Sequence, residues 1–433
     1  MSGFEIITFG CRLNAYESEA IRARALEAGL NDTILINTCA VTGEAVRQSR
    51  QAIRKARREH PEAQIIVTGC AAQVEPEAYA AMPEVDRVLG NQEKLNAATY
   101  APDFLDAAPR VVVNDIMAVK ETAPQFVDSF EDHTRAVLQV QNGCDHRCTF
   151  CIIPYGRGNS RSVGAGAVVE EARRLVTAGY NEIVLSGIDL TAYGADLPGA
   201  PTLGTLVARI FKHIPELKRL RLSSIDSIEA DETLLRLIGE EERLMPHFHL
   251  SAQSGNNLIL KRMKRRHTRE DTIRFCDMVR RLRPQAAFGA DLIAGFPTES
   301  EEMFESTLAL VDEAGLSYLH VFPFSPRKGT PAARMPQLPR GLIKERARRL
   351  RAKGEHALAA RLAALVGSEQ LLLIESPGRG RTACFAIAAC EVSAKPGSFV
   401  RARVESSDGR ILTTSVVGPV EQDSAHKGSR AAA

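Results

Sequence analysis

Short apolar runs alternate with helical patterns along most of this chain, and that alternation limits the possible folds more than any other feature. Strands separated by helices pair in parallel, with the helices packed on the faces of the sheet. A doubly wound parallel sheet is therefore predicted for the first hundred residues. Its predicted strands are 5–9, 33–37, 64–68 and 85–89, and its predicted helices are 16–28, 44–59 and 75–82.

The alternation resumes after a looser stretch at 102–134, which is predicted to be a linker with one strand at 110–113. Six further strand–helix units favour a central (β/α)6 parallel barrel, partial or complete, with an open sheet as the alternative. The predicted strands are 137–141, 182–186, 219–223, 247–251, 287–293 and 318–322, and the helices between them include 168–178 and 301–314.

The pattern changes after Pro339. A long basic helix is predicted at 341–365, followed by a small all-β domain in which Asp408-Gly409 makes a tight hairpin turn. The tail at the C-terminus is predicted to be disordered. The predicted strands of the last domain are 370–375, 382–387 and 399–405.

At 433 residues the chain is long enough for two or three domains. Its formal net charge of +2 does not by itself indicate a nucleic-acid partner. No stretch approaches the roughly 18 consecutive apolar residues of a membrane-spanning helix, and the first residues do not resemble a secretory signal. We therefore expect a cytoplasmic protein, in which clustered cysteines indicate metal binding or catalysis rather than disulfides.

The strongest local signal is a C-x3-C-x2-C run formed by Cys144, Cys148 and Cys151, directly after the first predicted barrel strand. Three thiolates within eight residues can hold three corners of a [4Fe–4S] cube. The fourth iron is then free to bind S-adenosylmethionine, whose reductive cleavage gives a 5′-deoxyadenosyl radical. The alternative is a zinc site with His146 or a distant cysteine as fourth ligand, but no second C-x2-C knuckle accompanies it.

Three more cysteines, Cys11, Cys39 and Cys70, each follow one of the first three predicted strands by one or two residues. The carboxyl ends of parallel strands share one edge of the sheet, where open α/β sheets bind ligands. We therefore predict a second cluster there, the alternative being three separately buried thiols. The remaining cysteines are expected to be packing residues; they are Cys276, Cys384 and Cys390.

With both cysteine sets, the chain resembles the radical S-adenosylmethionine methylthiotransferases over almost its full length. The segments that carry the resemblance are Phe9-Gly10-Cys11-Arg12-Leu13-Asn14, Asn37-Thr38-Cys39-Ala40-Val41-Thr42, Thr68-Gly69-Cys70, Gly143-Cys144 with Cys151-Ile152-Ile153-Pro154-Tyr155-Gly156-Arg157-Gly158, Gln253-Ser254-Gly255, Asp291 to Glu299, and Gly378-Arg379-Gly380-Arg381-Thr382.

The resemblance implies an α/β protein of three domains. These are an N-terminal methylthiotransferase domain with a doubly wound parallel sheet (1–110), a radical SAM domain with a partial (β/α)6 barrel (130–365), and a small C-terminal all-β TRAM barrel (366–422), with a disordered tail (423–433). It also implies two [4Fe–4S] clusters. Cys144, Cys148 and Cys151 would hold the radical-generating cluster, and Cys11, Cys39 and Cys70 would hold an auxiliary cluster that delivers sulfur.

By the same resemblance, S-adenosylmethionine both donates the methyl group and is cleaved to make the radical. Eight positions match the segments that contact this cofactor in the family. They are Phe150, Gly187, Asp189, Ser223, Gln253, Asp291, Gly295 and Pro297. Phe150 occupies the aromatic position between the last two cysteines, where ordinary packing is the alternative.

The segment from Gly10 to Glu17 most resembles the subgroup that methylthiolates C2 of N6-threonylcarbamoyladenosine next to the anticodon of tRNA. The alternatives are isopentenyladenosine in tRNA, an aspartate in a small-subunit ribosomal protein, or a non-catalytic zinc-dependent RNA-binding module. The resemblance implies tRNA as substrate and an electron donor such as a flavodoxin-type reductant, with no membrane or DNA partner. Basic patches at 261–267 and 346–353 fit phosphate contact, or are simply solvated helix faces.

Overall fold

The computed structural model describes residues 3–121 and 134–418 of the protein. The predicted disordered tail at 423–433 lies outside the described residues. Within them, the chain forms a five-stranded parallel sheet, a set of parallel strands arranged as an open barrel, and a closed five-stranded barrel. The α/β class and the three predicted sheet architectures are thereby confirmed.

The first sheet has the order β1–β2–β3–β4–β5, with every neighbouring pair parallel. Its elements are β1 (Phe4–Thr8), α1 (Arg12–Glu27), β2 (Thr33–Thr38), α2 (Gly43–Glu59), β3 (Gln64–Gly69), α3 (Cys70–Val74), α4 (Pro76–Ala80), β4 (Arg87–Leu89), α5 (Pro102–Ala107) and β5 (Val111–Val112). The sheet thus extends to Val112, inside the stretch predicted as a linker.

Alternate residues of the sheet pack against helices on opposite faces. Ile34 and Ile36 belong to one apolar cluster with Ile53 of α2. Leu35 lies in another cluster with Ile21 of α1. Because side chains alternate along a strand, both faces of a fully apolar run can be covered in this way. This arrangement is the doubly wound sheet that the sequence predicts.

One helix of this domain differs from its prediction. The helix expected at 75–82 is present as the shorter α4, which starts at Pro76, and a separate short helix, α3, precedes it from Cys70. Proline cannot donate the backbone hydrogen bond that a continuous helix needs, so it begins a new helix at its first position. Cys70 therefore lies directly at the end of β3, where the chain turns into α3.

The central barrel is open. Its strand order is β6–β9–β10, continued through β11–β12–β13–β14, and all these pairs are parallel. The elements are β6 (Ala136–Gln139), β7 (Gln141–Asn142), α6 (Ile153–Arg157), β8 (Arg161–Ser162), α7 (Ala165–Thr177), β9 (Glu182–Ser186), α8 (Leu203–His213), β10 (Arg219–Leu222), β11 (Ser224–Ile225), α9 (Glu232–Glu240), β12 (His247–Gln253), α10 (Asn257–Arg262), α11 (Arg269–Leu282), β13 (Ala287–Ala294), α12 (Glu301–Glu313), β14 (Leu316–Pro323) and α13 (Arg340–Ala363).

The two faces of the barrel strands differ in polarity. Phe248, Leu250, Phe288 and Leu292 pack into the main apolar cluster with the surrounding helices. Since side chains alternate along a strand, the intervening residues, such as His249, face the inside of the barrel. The inner face is therefore polar, which suits a site for chemistry rather than a packed core.

The C-terminal barrel is closed in the order β15–β16–β17–β19–β18. Its strands are β15 (Glu369–Ser376), β16 (Arg379–Arg381), β17 (Ile387–Cys390), β18 (Phe399–Ser407) and β19 (Leu412–Val416). The strand predicted at 382–387 is wrong: β16 ends at Arg381, and the following turn holds Phe385 at a positive φ of 77°. The residues between β18 and β19 form a longer loop than the predicted two-residue turn.

Among the described residues, no helix is long and apolar enough to cross a membrane.

Candidate active site

The sheet edge brings the first three cysteines together. Cys11 precedes α1, Cys39 follows β2, and Cys70 follows β3. Burial, with smaller contributions from the nearby Cys70 and Cys11 thiols, raises the pKa of the Cys39 thiol to about 11. Gly10 makes room for this group, because a Cβ there would lie 2.6 Å from Cys39 Sγ. We call Cys11, Cys39 and Cys70 the N-terminal trio.

The barrel brings the other three predicted ligands together. Cys144, Cys148 and Cys151 lie between β7 and α6, and we call them the barrel trio. Burial raises the pKa of the Cys151 thiol to about 12, with a contribution from Cys148. The Cys144 thiol lies 3.6 Å from Asp189 Oδ2, and burial together with this carboxylate raises the pKa of Cys144.

Each trio has the ligand set of an iron–sulfur cluster, because three thiolates can hold three corners of a [4Fe–4S] cube and leave one iron open. A structural zinc site would need a fourth Cys or His ligand. Within the described residues, the groups of side chains whose ligand atoms all lie within 4.8 Å of one another are His249, Asp291 and His320, and His146, Asp189 and Glu229, and they contain no cysteine. The donor sets therefore fit [4Fe–4S] clusters.

The N-terminal trio lies against α6, the helix that follows the barrel trio. A Cβ on Gly156 would lie 3.2 Å from Cys70 Cβ, a tight contact that shows how closely α6 approaches the N-terminal trio. Asn91 Nδ2 is 3.7 Å from Cys70 Sγ, which it reaches as a donor. The two trios are thus joined through one short helix of the barrel domain.

A buried charge network reinforces this junction. Glu17 on α1 accepts hydrogen bonds from Arg157 of α6 at 2.6 and 2.9 Å and from Lys94 at 2.8 Å. These three side chains are at most 1% exposed. Burial lowers the pKa of Arg157, but Cys70, Glu17 and Cys11 outweigh it and raise the pKa well above its usual value. Arg157 therefore places a fixed positive charge beside the N-terminal trio.

A second cation, Arg265, lies beside the barrel trio. Arg265 Nη1 donates toward Cys148 Sγ at 3.6 Å, while its Nη2 donates to Asp226 Oδ2 at 2.6 Å. Hydrogen bonds to a thiolate sulfur stabilise its negative charge. His146, the alternative zinc ligand, instead lies 3.0 Å from Asp189 Oδ2 and 3.6 Å from Glu229 Oε1.

The inner face of the barrel carries a further polar cluster. Asp291 Oδ1 lies 2.9 Å from His249 Nε2 and 3.2 Å from His320 Nδ1. Burial acts to raise the pKa of Asp291, but the hydrogen bonds with both histidines outweigh it and lower the pKa to about 2. Asp291 is therefore a carboxylate at neutral pH.

The other predicted cofactor positions lie at or near the carboxyl ends of the barrel strands. Ser223 lies between β10 and β11, and its buried hydroxyl has no hydrogen-bond partner within the described chain. Gln253 ends β12 with a positive φ of 64°, a strained conformation for a non-glycine residue. Gly187 follows β9, and a Cβ there would lie 2.8 Å from Gln141 Oε1.

The remaining predicted positions form the wall next to the barrel trio. The Phe150 ring meets the Phe296 ring edge-on, with centroids 6.5 Å apart, and both belong to one apolar cluster. Gly295 donates its backbone N–H to Glu299 Oε2 at 3.0 Å, and a Cβ on it would meet Ile343 of α13. Pro297, which follows Phe296, is buried.

Several cations of the two basic patches proposed from the sequence form ion pairs within the fold. In the first, Arg265 pairs with Asp226, and Arg266 pairs with Glu229. In the second, Arg346 is 3% exposed and pairs with Glu299, while other members meet acids on α12. Lys261 and Lys264 of the first patch are exposed, and no ion pair holds them within the described residues. Phosphate contact by these patches stays a prediction.

Sequence reasoning missed the side chains that support the trios. Arg157, Arg265 and Asn91 are adjacent to thiols only in three dimensions. Arg157 was part of a matched segment, but nothing in its local pattern indicates a buried ion pair with a residue 140 positions away. A charged residue inside an otherwise apolar and glycine-rich segment is the one signal that could have suggested it.

Comparisons with known proteins place this chain in a family. Residues 138–311 match the radical SAM superfamily, and residues 3–90 match a family described as Uncharacterized protein family UPF0004. A threonylcarbamoyladenosine tRNA methylthiotransferase of Rickettsia prowazekii is 55% identical over 88% of this chain and 90% of its own length. The protein of that name from Bacillus subtilis is 39% identical over 85% of this chain and 83% of its own.

More distant relatives include a tRNA-2-methylthio-N(6)-dimethylallyladenosine synthase of Erythrobacter litoralis, 36% identical over 87% of both chains. Among solved structures, the radical S-adenosylmethionine methyltransferase TsrM of Kitasatospora setae, with cobalamin and a [4Fe–4S] cluster bound, has a TM-score of 0.57. It is 16% identical, and the alignment covers 77% of each chain. At that identity the likeness concerns the fold alone.

Proposed function

Because this chain belongs to the tRNA methylthiotransferases of the radical S-adenosylmethionine superfamily, we propose that it adds a methylthio group to C2 of N6-threonylcarbamoyladenosine beside the anticodon of tRNA. The observation that carries this proposal is the pair of cysteine trios that meet across α6. A methylthiolation needs one site that activates a carbon and another that provides sulfur, and the two trios offer two such sites close together.

Membership of the superfamily implies S-adenosylmethionine and a [4Fe–4S] cluster as cofactors. We assign one cluster to the barrel trio and a second to the N-terminal trio. When bound, the first would supply the electron that cleaves S-adenosylmethionine, and the second would supply sulfur. The three-thiolate ligand set of each trio and its place after parallel strands support this assignment.

The chain's own charged groups tune these sites. Arg157 stabilises negative charge on Cys11 and Cys70, and Arg265 does the same for Cys148. Each cation is itself held by a buried carboxylate, Glu17 for Arg157 and Asp226 for Arg265. Fixed hydrogen bonds of this kind orient metal ligands and adjust the reduction potential.

We assign contact with S-adenosylmethionine to the eight residues that match the family's cofactor-contacting segments, and these residues fall into three roles. Phe150 and Pro297 exclude water, Gly187 and Gly295 allow close approach of the backbone, and the rest offer polar groups. Ser223 has a buried hydroxyl without a partner, which suits a ligand atom as its acceptor or donor. The polar residues are Asp189, Ser223, Gln253 and Asp291.

The substrate is tRNA, as in the named relatives, and the reductant is an electron donor of the flavodoxin type. The test is mass spectrometry of tRNA nucleosides from strains with and without the gene. We expect the deletion strain to lose 2-methylthio-N6-threonylcarbamoyladenosine and to accumulate the form without sulfur, with recovery from the wild-type gene but not from Cys148→Ala. Loss of the methylthio group from isopentenyladenosine, or from a ribosomal-protein aspartate, would instead contradict the proposal.

A further inference from the structure

Arg12 is a cation that no acidic group of the described residues holds in an ion pair. It directly follows Cys11 of the N-terminal trio, and its side chain is exposed. Within the described chain, its guanidinium has no hydrogen bond or ion pair. It lies over the Phe385 ring, whose centroid is 5.8 Å from Arg12 Cζ. The charged groups that act on it are Arg221, Arg381, Asp291 and Glu182.

Each of those neighbours is already paired. Arg221 forms a two-pronged ion pair with Glu182, at 2.9 and 3.2 Å. Arg381 pairs in the same way with Glu375, at 2.6 and 3.1 Å. Asp291 contacts His249 and His320 through Oδ1. Each acidic group around Arg12 therefore contacts other side chains, and within the described residues none of them forms an ion pair with Arg12.

Phe385 fixes where this cation lies. Its ring faces the guanidinium groups of Arg12, Arg135, Arg221 and Arg381 at 4.2 to 5.8 Å, and it stacks on His247 with centroids 4.7 Å apart. Such cation–π contacts orient a guanidinium but leave its N–H groups free. The positive φ of Phe385 is a strained conformation that the surrounding contacts hold in place.

We propose that Arg12 binds the carboxylate of the threonylcarbamoyl group on the substrate adenosine. This inference rests on the proposed function, and it identifies the residue that selects the substituent. The threonylcarbamoyl group ends in the α-carboxylate of threonine, and a guanidinium binds a carboxylate through two parallel hydrogen bonds. Arg12 lies next to the N-terminal trio, so the adenine of a bound substrate can lie beside that trio while its N6 substituent reaches the free cation.

The same cation would reject an apolar substituent. A dimethylallyl group in this position would remove water from the Arg12 guanidinium and give it no acceptor. Sites that hold a polar substrate group discriminate strongly against analogues without it, because their own polar groups are then left unpaired. Arg12 therefore discriminates between substrates by the charge of the substituent rather than by its size.

The test uses the reconstituted full-length enzyme and two anticodon stem-loop RNAs. One carries N6-threonylcarbamoyladenosine, and the other carries the same nucleoside with the carboxylate replaced by a neutral carboxamide. For the wild type we expect the acid RNA to bind about 30-fold more tightly than the amide RNA. For Arg12→Gln we expect that ratio to fall to about one, mainly by weaker binding of the acid RNA. Arg12→Lys should restore part of the ratio.

The ratio of two dissociation constants is internal to each variant, so partial loss of a cluster near Cys11 does not change it. Arg24→Gln, which removes the same charge from the far end of α1, should keep the wild-type ratio. The inference is overturned if Arg12→Gln keeps the wild-type ratio of dissociation constants, whether the binding of both RNAs is unchanged or is weakened equally. If the wild type methylthiolates neither a tRNA nor a stem-loop bearing threonylcarbamoyladenosine, the proposed function itself fails, which is a separate result.

Discussion

The substitution Glu17→Gln tests the buried junction between the two trios. Gln keeps the size of the side chain but removes the only carboxylate that Arg157 and Lys94 share. Two buried cations would then lie near each other without a shared carboxylate, although neutral acceptors such as Asn14 Oδ1, 2.6 Å from Arg157, remain. Breaking a buried ion pair by removing one partner costs about 3–5 kcal/mol of folding free energy.

The pKa of Glu17 shows how the stabilisation from this carboxylate depends on pH. Burial acts to raise this pKa, but Arg157 and Lys94 outweigh it and lower the pKa from 4.5 to about 2. A lowered acid pKa stabilises the fold above the unfolded-state value, and that stability is lost as the pH falls through the folded-state value. The shift corresponds to about 3 kcal/mol at neutral pH and to about half of that near pH 3.

The assay is urea unfolding of the apoprotein followed by far-ultraviolet circular dichroism, since the chain has no tryptophan. We expect Glu17→Gln to unfold at lower urea than the wild type at pH 7, and the gap between them to narrow below about pH 4.5. Glu44→Gln, which breaks an exposed pair with Arg47 on α2, should leave the midpoint unchanged. Equal midpoints for Glu17→Gln and the wild type at pH 7, or a gap that stays constant down to pH 3, would refute the reasoning.

Three further substitutions test separate parts of the account. Cys148→Ala should abolish formation of 5′-deoxyadenosine, because the cluster loses one of its ligands. Cys276→Ala, which changes a packing cysteine, should still form 5′-deoxyadenosine. Undiminished cleavage of S-adenosylmethionine by Cys148→Ala would show that Cys148 is not a cluster ligand. Cys39→Ala should retain some cleavage of S-adenosylmethionine but make no methylthio product, and normal product would exclude the N-terminal trio from the reaction. Phe385→Ala should weaken the C-terminal barrel's contact with the central barrel by about 2 kcal/mol, seen as faster proteolysis after α13; an unchanged cleavage rate would contradict that contact.

The strands were predictable because their signal is local. β9 spans the predicted residues 182–186, and the apolar runs at 33–37 and 64–68 are strands extended by one residue. Parallel strands that are buried on both faces are apolar along most of their length, so the apolar run in the sequence predicts where each strand begins and ends. The convergence of Cys11, Cys39 and Cys70 followed from the same logic, since each lies where a parallel strand ends.

The errors arise where distant contacts override local preference. The residues after β16 have the apolar composition of a strand, yet they form a turn because Phe385 packs on His247 and among arginines of the central barrel. Arg346 has a sequence context typical of an exposed helix face, yet it is buried, because its acidic partner Glu299 lies far away along the chain. Ion pairs of this kind have no periodicity and leave no local pattern.

The central claim is that six cysteines hold two [4Fe–4S] clusters in one chain. Iron and sulfide analysis with Mössbauer spectroscopy of the anaerobically reconstituted protein tests it most directly, when the wild type is compared with a variant in which Cys11, Cys39 and Cys70 are all replaced by alanine. We expect about eight irons per wild-type chain and about four in the variant, all in cubane clusters. About four irons in both proteins, or one zinc per trio, would contradict the claim.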